Sequence, residues 1–285
     1  MRIAVVGDTQ RTTRPERWLL RREQNDGDRP RVVAEIAASR PDVVVHLGDL
    51  VAHGSRRADW AWFDDLFAPI TGASVPVLPA MGNHDWSGGR PGPHLARRFP
   101  WMVGQTWYAR SIGPLRFVWV DSNRGRLRLA AWREQAAWIA GELAAADADP
   151  AVRGVLVVCH HPPITNSTVE GDAGHVVSPF VEPFERCRKG LAFLSGHTHA
   201  YERFERAGRP FVVAGGGGGP RVRLRAGRDE AHQDRVTLPS PRPFHFLLIE
   251  PGSAGVDFTV RGSDKGAAGW RTIDTFRLPF VQPPP

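Results

Sequence analysis

The chain has 285 residues, 41% of them hydrophobic and 24% charged, with a formal net charge of +7. That supplies enough apolar content for a large buried core, and no apolar run approaches the roughly 20 residues that a membrane-spanning helix needs. Only Lys189 and Lys265 are lysines among the 37 basic residues, and no basic run alternates with aromatics as in a single-strand-binding groove, so nucleic acid is not expected as the main partner.

The N-terminus, Met-Arg-Ile-Ala-Val-Val-Gly-Asp, reads as a short strand over Ile3–Val6 rather than an export signal, and a cytoplasmic protein is expected. The two cysteines, Cys159 and Cys187, are then expected as free thiols. From that strand onward, β-branched runs alternate with amphipathic stretches, the pattern of an α/β core. In chain order, strands are predicted at Val43–Leu47, Val75–Pro79, Leu115–Val120, Gly154–Val158, Leu191–Leu194, Phe211–Val213, Phe244–Ile249 and Val256–Val260. Helices are predicted at Arg31–Ser39, Arg56–Phe67, Arg128–Ala146 and Pro179–Arg188. In the third helix, Leu129, Trp132, Ala136, Ile139 and Leu143 recur at spacings of three and four and make one apolar face. Residues 9–30 and 220–243, rich in Arg, Asp and Pro or Asn, read as loop insertions in a single domain spanning 1–285, and Pro283–Pro285 as a tail. There is no internal repeat.

The residues just after each strand carry the chemistry. Ile3–Val6 runs into Gly7-Asp8-Thr9-Gln10, Val43–Leu47 into Gly48-Asp49, and Val75–Met81 into Gly82-Asn83-His84-Asp85. Gly154–Cys159 runs into His160-His161-Pro162-Pro163, and Leu191–Ser195 into Gly196-His197-Thr198-His199. In an open α/β sheet, the C-terminal strand edge is where ligands bind, and glycine before the ligand lets the backbone turn tightly there. Carboxylate, carboxamide and imidazole donors without thiolate suit Mn, Zn, Fe, Co or Ni rather than a structural zinc site. Each piece alone is weak, since Gly-Asp is a common turn; five in this order are not a coincidence.

That order, Asp-x-Gln, Gly-Asp, Gly-Asn-His-Asp, His and Gly-His-x-His, resembles the calcineurin-like metallophosphoesterases over Arg2 to about Gly219. Val118–Asn123, His160–Pro163, Gly196–Arg203 and the glycine run Gly215–Gly219 are similar to its purple-acid-phosphatase-like branch. The resemblance implies a four-layer fold: two packed mixed β-sheets flanked by helices. It also implies two divalent or trivalent metal ions, one on Asp8 and His199, one on Asn83, His160 and His197, with Asp49 bridging. By the same resemblance His84 acts on substrate, Asp85 orients its ring or else caps the loop, and a bridging hydroxide attacks a phosphomonoester or phosphodiester. Gln10 stands where many members have His, as a further metal donor. Ala52 stands where the coloured phosphatases have a ligating Tyr, so no iron–tyrosinate colour is expected. Arg11, Arg14 and His161 are candidates for contact with a small phosphorylated substrate. The glycine run is a candidate cradle for phosphate but lacks the Lys-Ser/Thr of a P-loop.

The second motif lacks the Asp-Arg-Gly ending of the protein Ser/Thr phosphatases, and no Gly-x-Ser-x-Gly elbow points to a serine hydrolase. The alternative from another class is a non-catalytic metal-binding scaffold for a protein partner. Retention of His84 and six ligands argues against it.

Overall fold

The computed structural model describes residues 1–89 and 92–281. Two six-stranded sheets form its centre. The first has β1 (Ile3–Val6), β2 (Val43–His46), β3 (Val77–Pro79), β10 (Phe244–Pro251), β11 (Gly255–Ser263) and β12 (Arg271–Pro279), in the order β12-β11-β10-β1-β2-β3. The second has β4 (Tyr108–Ile112), β5 (Leu115–Trp119), β6 (Gly154–Cys159), β7 (Gly190–Ser195), β8 (Tyr201–Arg206) and β9 (Arg209–Ala214), in the order β4-β5-β6-β7-β9-β8. Both are mixed: β1, β2 and β3 pair in parallel, as do β5, β6, β7 and β9, while the outer strands β10–β12, β4 and β8 run antiparallel to their neighbours.

The side-chain period of two explains the layers. On β6, Leu156 and Val158 join the core shared with the first sheet, while Val155, Val157 and Cys159 join a second core. On β5, Phe117 and Trp119 take the first side and Val118 the second. A strand buried on both faces must be apolar at every position, and β6 is buried throughout. The second core is closed by α5 (Leu129–Ala148) and α6 (Glu182–Arg186), through Trp132, Ile139, Leu143 and Phe184. On the other side of the molecule, α2 (Asp28–Ala38) and α3 (Arg57–Thr71) bring Val32, Ile36, Trp60, Phe63 and Phe67 into the first core. Each such side chain contributes about 1.5–3 kcal/mol on burial.

The nine predicted strands and the four predicted helices are present, with ends shifted by a few residues. The fourth helix differs in kind. A π-helical turn over Val177–Val181 precedes α6, which ends at Arg186; Pro179 and Pro183 each lack an amide to donate, so a regular α-ladder cannot run through. The segment 9–30 is not all loop. It contains α1 (Arg14–Trp18), capped by Thr13 with Glu16 returning the bond, and the first turn of α2. A short helix, α4 (Gly92–Arg98), follows the third motif. The segment 220–243 is irregular but tied down: Arg242 is buried and ion-paired to Asp234 at 2.7 Å, and Thr168 N donates to the Arg223 carbonyl. Pro283–Pro285, read as a tail, lie outside the described residues.

Candidate metal centre

The five strand ends meet at the seam between the sheets. β1, β2 and the turn after β3 deliver Asp8, Asp49 and Asn83 from the first sheet; β6 and β7 deliver His160, His197 and His199 from the second. Three of these residues leave their strands through the left-handed region, Asp8 at φ 62°, Asp49 at φ 55° and His197 at φ 66°. Such a conformation costs on the order of 1–3 kcal/mol per non-glycine residue and persists where its surroundings impose it. Here neighbouring glycines let the turns pack closely against one another. A Cβ at Gly82 would sit 2.1 Å from Asp49 Oδ1 and 2.2 Å from Asp49 N, and one at Gly48 would sit 2.7 Å from His160 Nδ1.

Asp8 and Asp49 are 0% and 1% exposed, yet no Arg or Lys pairs with either among the described residues. Their partners are imidazoles: Asp8 Oδ1 lies 3.4 Å from His199 Nε2, and Asp49 Oδ2 lies 3.4 Å from His160 Nε2. Asn83 Oδ1 is 3.0 Å from His160 Nε2, which is 3.2 Å from His197 Nδ1. Gln10 reaches into the same cluster, its Nε2 3.2 Å from Asp49 Oδ2 and 3.3 Å from His199 Nε2. Its Oε1 is buried without any donor. Buried carboxylates and an orphaned carbonyl oxygen cost free energy unless a cation or donor meets them.

The imidazoles are oriented from behind. His160 Nδ1 lies 2.9 Å from the Leu47 carbonyl and His199 Nδ1 2.7 Å from the Pro220 carbonyl. A ring that donates from Nδ1 presents the Nε2 lone pair to a metal, which is how backbone carbonyls fix metal-binding tautomers. The residues present therefore fit two metal ions: hard oxygen donors and imidazoles, buried, with two carboxylates that no Arg or Lys neutralises among the described residues.

The titration behaviour of the protein without metal is set by this crowding. Burial opposes a charge on His160, but the Asp49 and Asp8 carboxylates outweigh it and push His160 up to about 10. Burial would raise Asp49, yet the charges of His160, His84 and His197 hold it well below the carboxylate range. Burial and then the neighbouring His160 charge push His197 down to about 3 and His161 down to about 2.

Asp85 does not touch the His84 ring. Its two oxygens accept from the backbone amides of Asp49, Gly82, Leu50 and Val51, at 2.9–3.2 Å, so the expected ring-orienting role is replaced by the loop-capping one. The His84 ring is held instead by the Ala52 carbonyl, 3.0 Å from Nδ1, and the His84 amide donates to Asp49 Oδ1 at 2.8 Å. A carbonyl acceptor is invisible in a sequence, whereas the adjacent Asp was the obvious candidate.

Arg11 and Arg14 are displaced from the cluster. Arg11 pairs with Asp59 at 2.7 Å and lies over Trp62, and both line a neighbouring cavity of about 690 Å³ with Ala52 and His53. The cavity over the cluster, about 450 Å³, is lined by Asp49, Asn83, His84, His197 and His199, with Arg22 and Glu170 at its rim. Neither rim residue carries a motif; each sits in a loop that only the fold brings over the site. His161 packs its ring 4.5 Å from that of His197 and 4.9 Å from that of His160, with Nδ1 2.8 Å from Ser122 Oγ. The glycine run does not offer a free cradle. Gly217 N and Gly219 N donate to the carbonyls of Gly7 and Asp8, so the run buttresses the first motif. His46 lies in β2, fully buried, between Thr9 Oγ1 and Gly48 N.

Similar solved structures share the fold. A purple acid phosphatase from yellow lupin seeds superposes with a TM-score of 0.75 at 19% identity, over 98% of this chain and 53% of that one; the chain thus spans about half the length of the lupin enzyme. A dimetal phosphatase from Danio rerio gives 0.70 at 17% identity, over 99% of both chains. GAP50 of Plasmodium, described as the anchor in the inner membrane complex, gives 0.71 at 14% identity, over 99% of this chain and 89% of that one. No curated protein matches the chain. The family model described as calcineurin-like phosphoesterase matches residues 1–201, which contain all five strand-end motifs, and the chain belongs to that family.

Proposed function

We propose that the protein hydrolyses a phosphomonoester or phosphodiester at a dinuclear metal centre held by Asp8, Asp49, Asn83, His160, His197 and His199, with Gln10 as a further donor. The observation that carries this reading is the convergence of two buried carboxylates without an Arg or Lys partner on three imidazoles, under an open cavity with His84 in its wall. Two ions bound there would activate water toward hydroxide and neutralise phosphoryl oxygens.

The chain's own groups supply the rest. With Nδ1 engaged by Ala52, His84 presents Nε2 to the cavity, where it can donate to a phosphoryl or leaving-group oxygen. Asp85, by gathering four amides of the second and third motif loops, fixes Asp49 and His84 in one rigid unit. Arg22 adds positive charge at the rim, tempered by its pairing with Glu16 at 3.3 Å. No helix among the described residues is long and apolar enough to cross a membrane, and both cysteines are free and buried. A reducing, cytoplasmic setting and a small phosphorylated substrate complete the reading.

The test is turnover of 4-nitrophenyl phosphate and bis-4-nitrophenyl phosphate by metal-stripped protein reloaded with Mn, Zn, Co, Ni or Fe. Metal-dependent hydrolysis is expected, with kcat lowered about 10²–10⁴-fold in His84→Ala and metal loading lost in Asp49→Ala. The fold shared with GAP50 keeps a second reading in view, a metal-binding scaffold for a protein partner. Two ions bound per chain with no turnover of either ester would favour that scaffold and sink the hydrolase.

A further inference from the structure

Next to the metal cavity lies a second one of about 580 Å³, and the ring of His161 stands between them, packed on His197 and His160 on one side and lining this cavity on the other. Its charged lining residues are Arg124 and Arg126, and no carboxylate lines it. Both arginines are exposed, and neither forms an ion pair among the described residues. The buried acid of the same segment is already engaged. Asp121 is fully buried, and its oxygens already accept from Thr106 Oγ1, Trp86 Nε1, Asn123 N and Asn123 Nδ2.

The loop that carries the arginines is held firmly. Arg124 N donates to the Ser122 carbonyl, Arg126 N and Leu127 N donate to the Asn123 carbonyl, and Asn123 Nδ2 reaches the Met81 carbonyl, two residues before Asn83. The two guanidinium groups are thus carried on a backbone tied to the third metal-site motif. Arginine is the side chain best suited to bidentate recognition of phosphate and carboxylate, and a concave, acid-free site with two of them attracts anions.

We infer that this cavity is a second-anion subsite: the substrate carries, besides the phosphoester at the metal centre, a further phosphate or carboxylate that Arg124 and Arg126 hold. This rests on the phosphoesterase reading for its first half only, since the anion site itself exists in the metal-free protein. Tethering two anions in one molecule makes the second contact intramolecular, which is where two exposed arginines become effective.

The experiment has two arms. In the first, metal-loaded protein is assayed on 4-nitrophenyl phosphate, 1,4-butanediol bisphosphate and 4-phosphonooxybutanoate. The ratio of kcat/KM for each ester with a second anionic group to that for 4-nitrophenyl phosphate is expected to fall at least tenfold in Arg124→Ala/Arg126→Ala, mostly through KM, and to recover to within about threefold in Arg124→Lys/Arg126→Lys. The bisphosphate and carboxylate esters separate the two sources of the anion. An unchanged ratio for both overturns the proposal. In the second arm, inorganic phosphate is titrated into metal-free protein by calorimetry, and its affinity is expected to drop about tenfold in the double alanine variant. If no ester is hydrolysed by the wild type, the phosphoesterase reading fails while this arm still decides the anion site; equal phosphate affinity in wild type and variant overturns it.

Discussion

At the scale of single residues, the sequence named the groups that gather at the seam because their chemistry is written in their types and in their place after a strand. It could not name their partners. The carbonyls of Leu47, Pro220 and Ala52 orient His160, His199 and His84, and any residue type supplies a carbonyl. Gln10 is the residue on which sequence and structure together say most. The motif offered it as a further donor; the fold leaves its Oε1 buried without a partner while its amide nitrogen spans Asp49 and His199. If Oε1 is a metal donor, Gln10→Ala should weaken one of the two ions by at least about 10-fold, the lower end of what is lost when a group that merely supports a ligand is removed. Gln10→His should restore it. Competition with a chromogenic chelator reads both ions, and unchanged affinity for both in the alanine variant would remove Gln10 from the centre.

At the scale of elements, what was legible was what is buried on both faces. β1, β2, β5, β6 and β7 read as apolar runs because each lies inside a sheet with neighbours on both sides. The three strands that escaped notice, β4, β8 and β12, are all edge strands. β12 alternates between exposed and half-buried positions, and an Arg-Thr-Ile-Asp-Thr-Phe-Arg sequence carries no continuous apolar signal. The glycine run is the clearest case of an element whose composition was read and whose role was not. Its amides hold the first motif, and a Cβ at Gly217 would lie 2.3 Å from the Gly7 carbonyl oxygen, with Thr9 and Val6 close behind. Gly217→Ala should therefore push the Asp8 turn off its position. A lowered Tm together with loss of the ion nearest Asp8 is expected in a thermal scan with metal analysis. Normal metal content at wild-type stability would show that the run is ornamental to the site.

At the scale of the whole molecule, the proposed centre would be a cross-link. Three of the proposed donors come from one sheet and three from the other, so metal binding would add a further tie between two layers that also adhere through apolar packing and polar contacts such as the Arg203–Asp274 ion pair and the bond from Tyr108 Oη to the Pro79 carbonyl. A ligand bound only by the folded state stabilises it by about 2.7 kcal/mol at a concentration 100 times its Kd. Chelation should accordingly lower the Tm of the entire chain in one transition, rather than loosening a loop. The pH dependence of that shift has a definite sign. In the metal-free protein, His160 is raised from its ordinary value to about 10 by Asp49 and Asp8 against the opposing effect of burial. Its contribution to stability is full below about 6.5, where the unfolded chain is also protonated, and is lost as pH rises toward 10. Asp49, held low, contributes above the ordinary carboxylate range and loses that contribution only in acid. Metal competes with the His160 proton and needs the neutral ring. The gap in Tm between metal-loaded and chelated protein should thus widen steadily from pH 6 to pH 9, as the stripped protein weakens and the metal binds more tightly. His160→Gln should shrink that gap and flatten its pH dependence. A gap that is constant across this range, or that narrows, would mean that His160 and the metals do not compete for the same lone pair, and the centre would have to be assembled without it.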